Sequence, residues 1–398
     1  MPVYDDAVAI ADDLAQLRRE IHREPEIGLD LPRTQQKVLA ALDGLPLELT
    51  VGRALSSVTA VLRGARPGRT VLLRGDMDAL PVSERTGLAY SSQIDGAMHA
   101  CGHDLHTAMV TGAARLLSAR QPGLAGNVIF MFQPGEEGFA GARLMIDEGV
   151  LDAAGERPAA AYALHVASAQ LPAGIWATRP GQVMAAADVL DVTVRGRGGH
   201  GSQPHHANDP IPAACAMVTA LQTLVTRHFD VFDPIIITVG SFHAGSTDNV
   251  IPDEARFLAT VRSFSAAARD QVKDASVRLV ADIATAHGVR AEATYADGYP
   301  MTVNDAGQVA FAEQTVTAVF GDGRFIRMPN PLPGSEDFSF VLDQVPGAFI
   351  MMGACPAGTD PAGAPFNHAA DAVFDDSVLA DGATLLAELA LRSLADPV

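Results

Sequence analysis

From Val58 onward one pattern repeats: a short apolar run ends in Gly, Pro or a charged loop, and a segment with helical spacing follows. "VTAVLRG" and "TVLLRGD" read as strands bounded by glycine, and "TAMVTGAARLLSAR" as a helix that follows "CGHD" and stops at "QPG". "NVIFMFQ" is a buried strand ending at Pro134, "GARLMIDEGVL" a helix and "AAYALHV" another strand. Such alternation admits few folds, because successive strands joined through helices lie in one mostly parallel sheet with helices packed on it. Upstream, the stretch from about Ala7 to Arg23 has helical apolar spacing and stops at "EPEIG".

Near Gly181 the texture changes. "DVLDVTVRGRG" and "ARFLATVRSF" alternate apolar and polar residues, as a sheet with one wet face does, and two long helical patterns accompany them. After about Tyr295 the first texture returns, with "QVAFAEQTVTAVFG", "GAFIMMG" and a C-terminal helix. The 398 residues exceed what one hydrophobic core organises. We therefore expect an α/β domain formed by residues 1–181 and 295–398, interrupted by a smaller α+β domain at 182–294.

Composition narrows the function. With 48% hydrophobic and 19% charged residues the chain is that of a well-packed globular protein. Its formal net charge of -19 is the wrong sign for a polyanion, so no nucleic-acid partner is expected. No apolar run reaches the roughly 18 to 20 residues of a membrane span, and the start "MPVYDDAVAIADDLAQLRRE" is acidic rather than leader-like. Cys101, Cys215 and Cys355 are odd in number and widely spaced, which fits a reducing compartment better than a disulfide framework. A cytoplasmic protein without membrane partners is expected.

Chemistry collects where the strands end, which is where open parallel sheets carry their ligands. "LLRGDMDALP" places Asp76 and Asp78 after one strand, "MHACGHD" supplies Cys101 and His103, "FMFQPGEEG" ends in Glu136 and Glu137, and "YALHV" supplies His165. His368, in "PFNHAAD", precedes the last helix. Thiolate, imidazole and carboxylate are the donors of a zinc-like ion. Each has a plainer reading as a core cysteine, a strand-end histidine, a loop cap or an acid at a helix start. Those readings explain one loop at a time, whereas the recurrence of donors in successive loops points to one centre.

Adjacent glutamates suit a division of labour, in which one carboxylate holds an ion and its neighbour takes the proton of an attacking water. Five or more donors exceed a single tetrahedral ion with an open position, so two ions are the better fit. A competing motif, "GRGGHG" at Gly196 to Gly201, formally matches G-x-G-x-x-G, but "SQPHH" follows where a helix should open. The chain has no G-x-S-x-G elbow of a serine hydrolase. A structural metal module would close its ion with Cys and His and would not need the glutamate pair.

"GDMDALP", "MHACGHDLHTA", "QPGEEG", "LHV", "GRGGHGSQPH", "DNVIP" and "SEDFSF", in this order, resemble the di-metal aminoacylase/carboxypeptidase superfamily, closest to its hippurate and auxin-conjugate hydrolase branch. The resemblance spans nearly the whole chain. It implies Cys101, His103, Glu137, His165 and His368 as ligands of two divalent ions (zinc, manganese, cobalt or nickel), with Glu136 as general base. It makes Asp78 an outer carboxylate orienting a ligand histidine, His200 an oxyanion-stabilising residue and Asn249 a substrate-binding residue. The inserted domain would be a ferredoxin-like lid and dimerisation domain of a homodimer. The implied reaction is metal-dependent hydrolysis of an N-acyl amino acid, a small-molecule substrate, to a carboxylic acid and a free amino acid. A metallo-carboxypeptidase or dipeptidase activity is the alternative within the superfamily.

Overall fold

The structure, a computed structural model, describes residues 3–395; residues 1–2 and 396–398, which the sequence reading includes in the ends of the α/β domain, lie outside the described residues. In chain order the first part holds α1 (Val3–Ala9), α2 (Ala11–Arg23), α3 (Pro32–Leu42), β1 (Leu47–Val51), β2 (Val58–Arg63) and β3 (Arg66–Asp76). It continues with α4 (His103–Ser118), β4 (Ala125–Gln133), α5 (Gly141–Asp147), β5 (Ala160–Pro172), β6 (Trp176–Thr178) and β7 (Gly181–Met184). Then come β8 (Ala186–Arg195), β9 (Gly199–His200), α6 (Pro210–His228), β10 (Ile235–Ala244), β11 (Val250–Ile251), β12 (Glu254–Ser263), α7 (Ala266–Ala286) and β13 (Arg290–Tyr299). The return supplies β14 (Thr302–Asn304), α8 (Ala306–Phe320), β15 (Phe325–Arg327), α9 (Ser339–Leu342), β16 (Gly347–Cys355) and α10 (Leu379–Ala395).

Two compact units result. The first comprises Met1–Val183, Val303–Asn330 and Asp337–Val398; the second comprises Met184–Thr302 and Pro331–Glu336. The second therefore reaches beyond residue 294, because the alternating run into "ATYADGY" keeps β13 paired with β8 as far as Tyr299. A short later segment, Pro331–Glu336, also belongs to it.

The first unit is a mixed eight-stranded sheet in the order β1-β2-β4-β3-β5-β16-β6-β15. Its centre, β4-β3-β5-β16, is parallel, while β1, β2 and β6 each pair antiparallel with a neighbour. Every residue of β16 is buried and six residues in a row are buried at the end of β4, the continuous apolar lining expected of strands covered on both faces. Helix α4 is buried along nearly its whole length and packs with α10 in the main core, where Leu105, Met109, Ala113, Ala383, Leu386 and Ala390 are all buried. That burial makes α4 a rigid mount for the loop before it.

The second unit is a four-stranded antiparallel sheet, β10-β12-β8-β13, packed by α6 and α7. The chain order β8-α6-β10-β12-α7-β13 is that of a ferredoxin-like fold. Asp209 and Ser265 cap the two helices by accepting backbone N–H groups, and Pro210 opens α6 where a missing N–H costs nothing. Among the described residues no helix is long and apolar enough to cross a membrane.

Candidate metal centre

The site of the first unit is assembled at the carboxyl ends of its central strands. β3 ends at Asp76 and is followed by Asp78; β4 is followed by the turn carrying Glu136 and Glu137; β5 carries His165. The loop into α4 supplies Cys101 and, as first helical residue, His103. Gly102 between them adopts φ 82°, a left-handed conformation open to glycine, and this turns the two donors into the same space.

Cys101 Sγ lies 3.4 Å from His165 Nε2 and 3.3 Å from His368 Nε2, so one sulfur touches two imidazoles from different elements. His368 Nε2 is also 3.2 Å from Glu137 Oε1, and His103 Nε2 is 3.9 Å from the same oxygen. Three sets, Cys101/His103/His165, Cys101/Glu137/His368 and His103/Glu136/Glu137, each bring their donor atoms within 4.8 Å of one another. All five expected ligands and Glu136 are thus gathered in one unit. His200 and Asn249 belong to the other unit, where Gly201 N–H donates to Asn249 O at 2.8 Å and His200 pairs with Val250 across β9 and β11. A three-residue 3-10 turn, Pro204–His206, follows that glycine-rich loop, in place of the helix a dinucleotide fold needs.

Ring orientation is set by the second nitrogen of each imidazole. His103 Nδ1–H donates to Asp78 O at 2.9 Å, and His165 Nδ1–H donates to Val166 O at 2.9 Å, which leaves Nε2 of each ring to the cluster. The Asp78 carboxylate has a further role: Oδ1 accepts Glu136 N–H and Oδ2 accepts Glu137 N–H, both at 3.0 Å, so it holds the glutamate turn. His368 has φ 74°, donates its backbone N–H to Ala100 O at 2.8 Å, and follows Asn367, whose amide donates to Val166 O at 2.9 Å and Cys101 O at 3.2 Å.

The residues fit a cationic group. His103 Nε2 is buried without a hydrogen bond, and it belongs to the donor sets. Such atoms are costly in a folded interior unless something engages them. The local field is negative. Hydrogen bonds to Cys101 and Glu137 push His368 up to about 10, and for His103 burial is outweighed by the Asp76 charge, so its pKa rises well above the ordinary value. His165 moves the other way, driven down by burial and by neighbouring His106, and stays a neutral lone-pair donor. Burial would raise the Glu137 carboxyl, but the His368 hydrogen bond and His103 hold it below its usual range.

Sequence reasoning treated Asp76 as a donor like the rest. In the structure its carboxylate takes Arg74 Nη1 at 2.7 Å and His106 Nδ1 at 2.6 Å, all three side chains being buried. His106 Nε2 accepts Val166 N–H at 2.8 Å, so its other nitrogen carries the proton and the ring braces the backbone beside His165. Arg74, His106, Asp337 and Asn367 were not picked out from the sequence. A charged residue inside an apolar strand, as in "LLRGD", was the available signal.

Residues 72–392 match peptidase family M20/M25/M40. The chain belongs to this family. This M20 chain is 36% identical over 393 residues to thermostable carboxypeptidase 1 of Saccharolobus solfataricus, covering 98% of this chain and 97% of the relative. It is 34% identical over 379 residues to the N-acetylcysteine deacetylase of Bacillus subtilis, covering 95% and 96%. The crystal structure of the Bacillus subtilis YXEP protein, described as a dinuclear metal-binding peptidase from the M20 family, superposes with a TM-score of 0.82 at 31% identity, covering 97% and 99%. The M20 chain is accordingly a hydrolase acting on amide bonds.

Proposed function

We propose that the protein hydrolyses N-acyl amino acids to a carboxylic acid and a free amino acid, with two divalent ions held by Cys101, His103, Glu137, His165 and His368. The observation that carries this reading is the pair Glu136 and Glu137 on one turn, both N–H groups fixed by Asp78, with the donor set of His103 and the two glutamates within 4.8 Å. A thiolate donor favours zinc, cobalt or nickel, while supply in the cell also allows manganese. When bound, such ions lower the pKa of water and polarise a carbonyl.

The chain's own groups do the rest. Glu136 takes one proton from the attacking water and passes it to the amide nitrogen as the carbon–nitrogen bond breaks, so that the acyl group leaves with the hydroxyl and the amine with the proton. Glu137 and the imidazoles hold position without exchanging protons. The family resemblance implies that His200 reaches the partner subunit's active site to stabilise the developing oxyanion and that Asn249 binds the substrate.

Carboxypeptidase action is the second reading, favoured by the 36% identity to the Saccharolobus relative. The two are chemically close, because the C-terminal residue of a peptide is itself an N-acyl amino acid. We further propose a cytoplasmic homodimer formed through the second unit. β10 is an edge strand whose outward face exposes Ile236, and the loop before it exposes Val231 and Phe232, at 92% for Phe232. An edge of this kind, without a guarding Lys or Pro, pairs readily with another copy. The absence of disulfides among Cys101, Cys215 and Cys355 fits a reducing compartment.

The test is elemental mass spectrometry on purified protein, paired with amino-acid release from N-acetyl and N-benzoyl amino acids and from dipeptides, before and after chelation. About two ions per chain with chelator-sensitive release is expected. Hydrolysis that survives complete metal removal would refute the reading, and the ratio of acyl to dipeptide turnover decides between the two activities.

A further inference from the structure

The motif "SEDFSF" has no part in the mechanism above, yet Asp337 is among the most heavily bonded carboxylates of the first unit. It is fully buried and accepts Arg74 Nη2 at 3.1 Å, Gln133 Nε2 at 2.7 and 2.8 Å, and Ala142 N–H at 2.8 Å. Gln133 is the last residue of β4 and Ala142 lies in the first turn of α5. The turn with Glu136 and Glu137 is the chain between them, so Asp337 grips both of its ends.

Arg74 is the other half of the device. Its guanidinium is buried, gives Nη2 to Asp337, Nε to Gln133 Oε1 at 2.9 Å and Nη1 to Asp76 at 2.7 Å. Through Asp76 the same cation reaches His106, which supports Val166 N–H beside His165. A buried guanidinium between two buried carboxylates is costly to assemble and costly to break. Its planar fork fixes direction as well as distance.

We propose that Arg74 and Asp337 are positioning residues with two separable limbs: Asp337 with Gln133 sets the place of Glu136 for proton transfer, and Asp76 with His106 sets His165 for ion retention. This rests on the reading of Glu136 as general base and His165 as ligand. A limb that only contributed stability would lower both functions in step with folding, whereas positioning separates them. Misplacing a reacting group by about 1 Å costs on the order of 100-fold in rate, and loss of an outer partner of a metal ligand costs about 10–100-fold in metal affinity.

The test compares Asp337→Asn, Gln133→Met, His106→Asn and Glu136→Gln, purified as the Zn2+-loaded enzyme. Readouts are kcat and KM on the best N-acyl amino acid, and Zn2+ affinity by competition with a chromophoric chelator. Asn at 106 keeps a donor for Asp76 but cannot reach Val166. Asp337→Asn should lower kcat about 100-fold with KM and Zn2+ affinity unchanged. His106→Asn should lower Zn2+ affinity about 10–100-fold with kcat at saturating Zn2+ little changed. If Asp337→Asn does not fold, Gln133→Met takes its place, with a smaller loss confined to kcat. The inference is overturned if Asp337→Asn and Gln133→Met keep normal kcat, or lose Zn2+ affinity in proportion to it. Glu136→Gln separates the two levels: near-normal turnover there refutes the general-base reading itself, whereas loss of turnover there with an unaffected Asp337→Asn refutes only the positioning role.

Discussion

Replacing Gly102 by alanine tests whether the "CGHD" loop works as described. Gly102 has φ 82°, and a Cβ there would lie 2.3 Å from Val166 Cγ2 and 3.1 Å from Phe374 Cε1. The left-handed conformation costs a residue with a Cβ about 1–2 kcal/mol. The contact with Val166 is about 1.2–1.7 Å short of ordinary carbon–carbon separation. Overpacking of that kind adds about 1–3 kcal/mol, and the stiffer unfolded chain returns about 0.4–1 kcal/mol. The net expectation is a loss of about 1–5 kcal/mol, a substantial part of a domain stability of about 5–15 kcal/mol. Because Val166 adjoins His165 and its N–H is held by His106, its retreat moves a ligand, and metal affinity should fall about 10–100-fold. Gly96→Ala supplies the control: φ is 73° but nothing lies within 4 Å of the added carbon, so only the conformational cost remains. Urea unfolding of the metal-free proteins and chelator competition for Zn2+ measure both quantities. If Gly102→Ala unfolded with the same free energy as Gly96→Ala and bound metal normally, the steric account of this loop would be wrong.

Other expectations follow from the same geometry. Cys101→Ser should reduce metal content and turnover together, read by elemental analysis alongside rates, since its Sγ contacts both His165 and His368; full metal retention would remove Cys101 from the ligands. Glu84 should make the protein acid-sensitive. Burial would raise its carboxyl, but hydrogen bonds from His22, Thr86 and Ser92 N–H hold it at about 2 against an ordinary 4.5. A lowered folded pKa gives stability that is present above about 4.5 and lost as pH falls toward 2. The difference in urea midpoint between wild type and Glu84→Gln should therefore shrink over that window, and a constant difference would contradict it. Phe232→Asp combined with Ile236→Lys should halve the mass seen by light scattering; an intact dimer would exclude the β10 edge as the contact.

Of the donors that could be read from sequence, Glu136 and Glu137 stand where an apolar run stops, while Cys101 and His103 stand in "MHACGHD" and His368 in the loop before the last helix. "FMFQPGEEG" announces its glutamates because a buried strand has no other reason to end in such residues, whereas His165 of "YALHV" lies inside β5, which runs on to Pro172. The parallel order of β4-β3-β5-β16 follows from the same alternation, but the antiparallel pairing of β1 and β2 depends on the short link 52–57, too short for a crossover and long enough for a hairpin. What escaped the reading is the set of buried charges. Arg74 sits in an apolar strand and was legible only as an anomaly, since its partner Asp337 lies 263 residues away. The aspartates of "GDMD" show the same limit more sharply. Two residues apart and chemically identical, Asp76 turns to Arg74 and His106 while Asp78 turns to the N–H groups of Glu136 and Glu137. Spacing marks both as chemistry-bearing, but only the neighbours brought by other strands decide which carboxylate braces a histidine and which holds the glutamate turn.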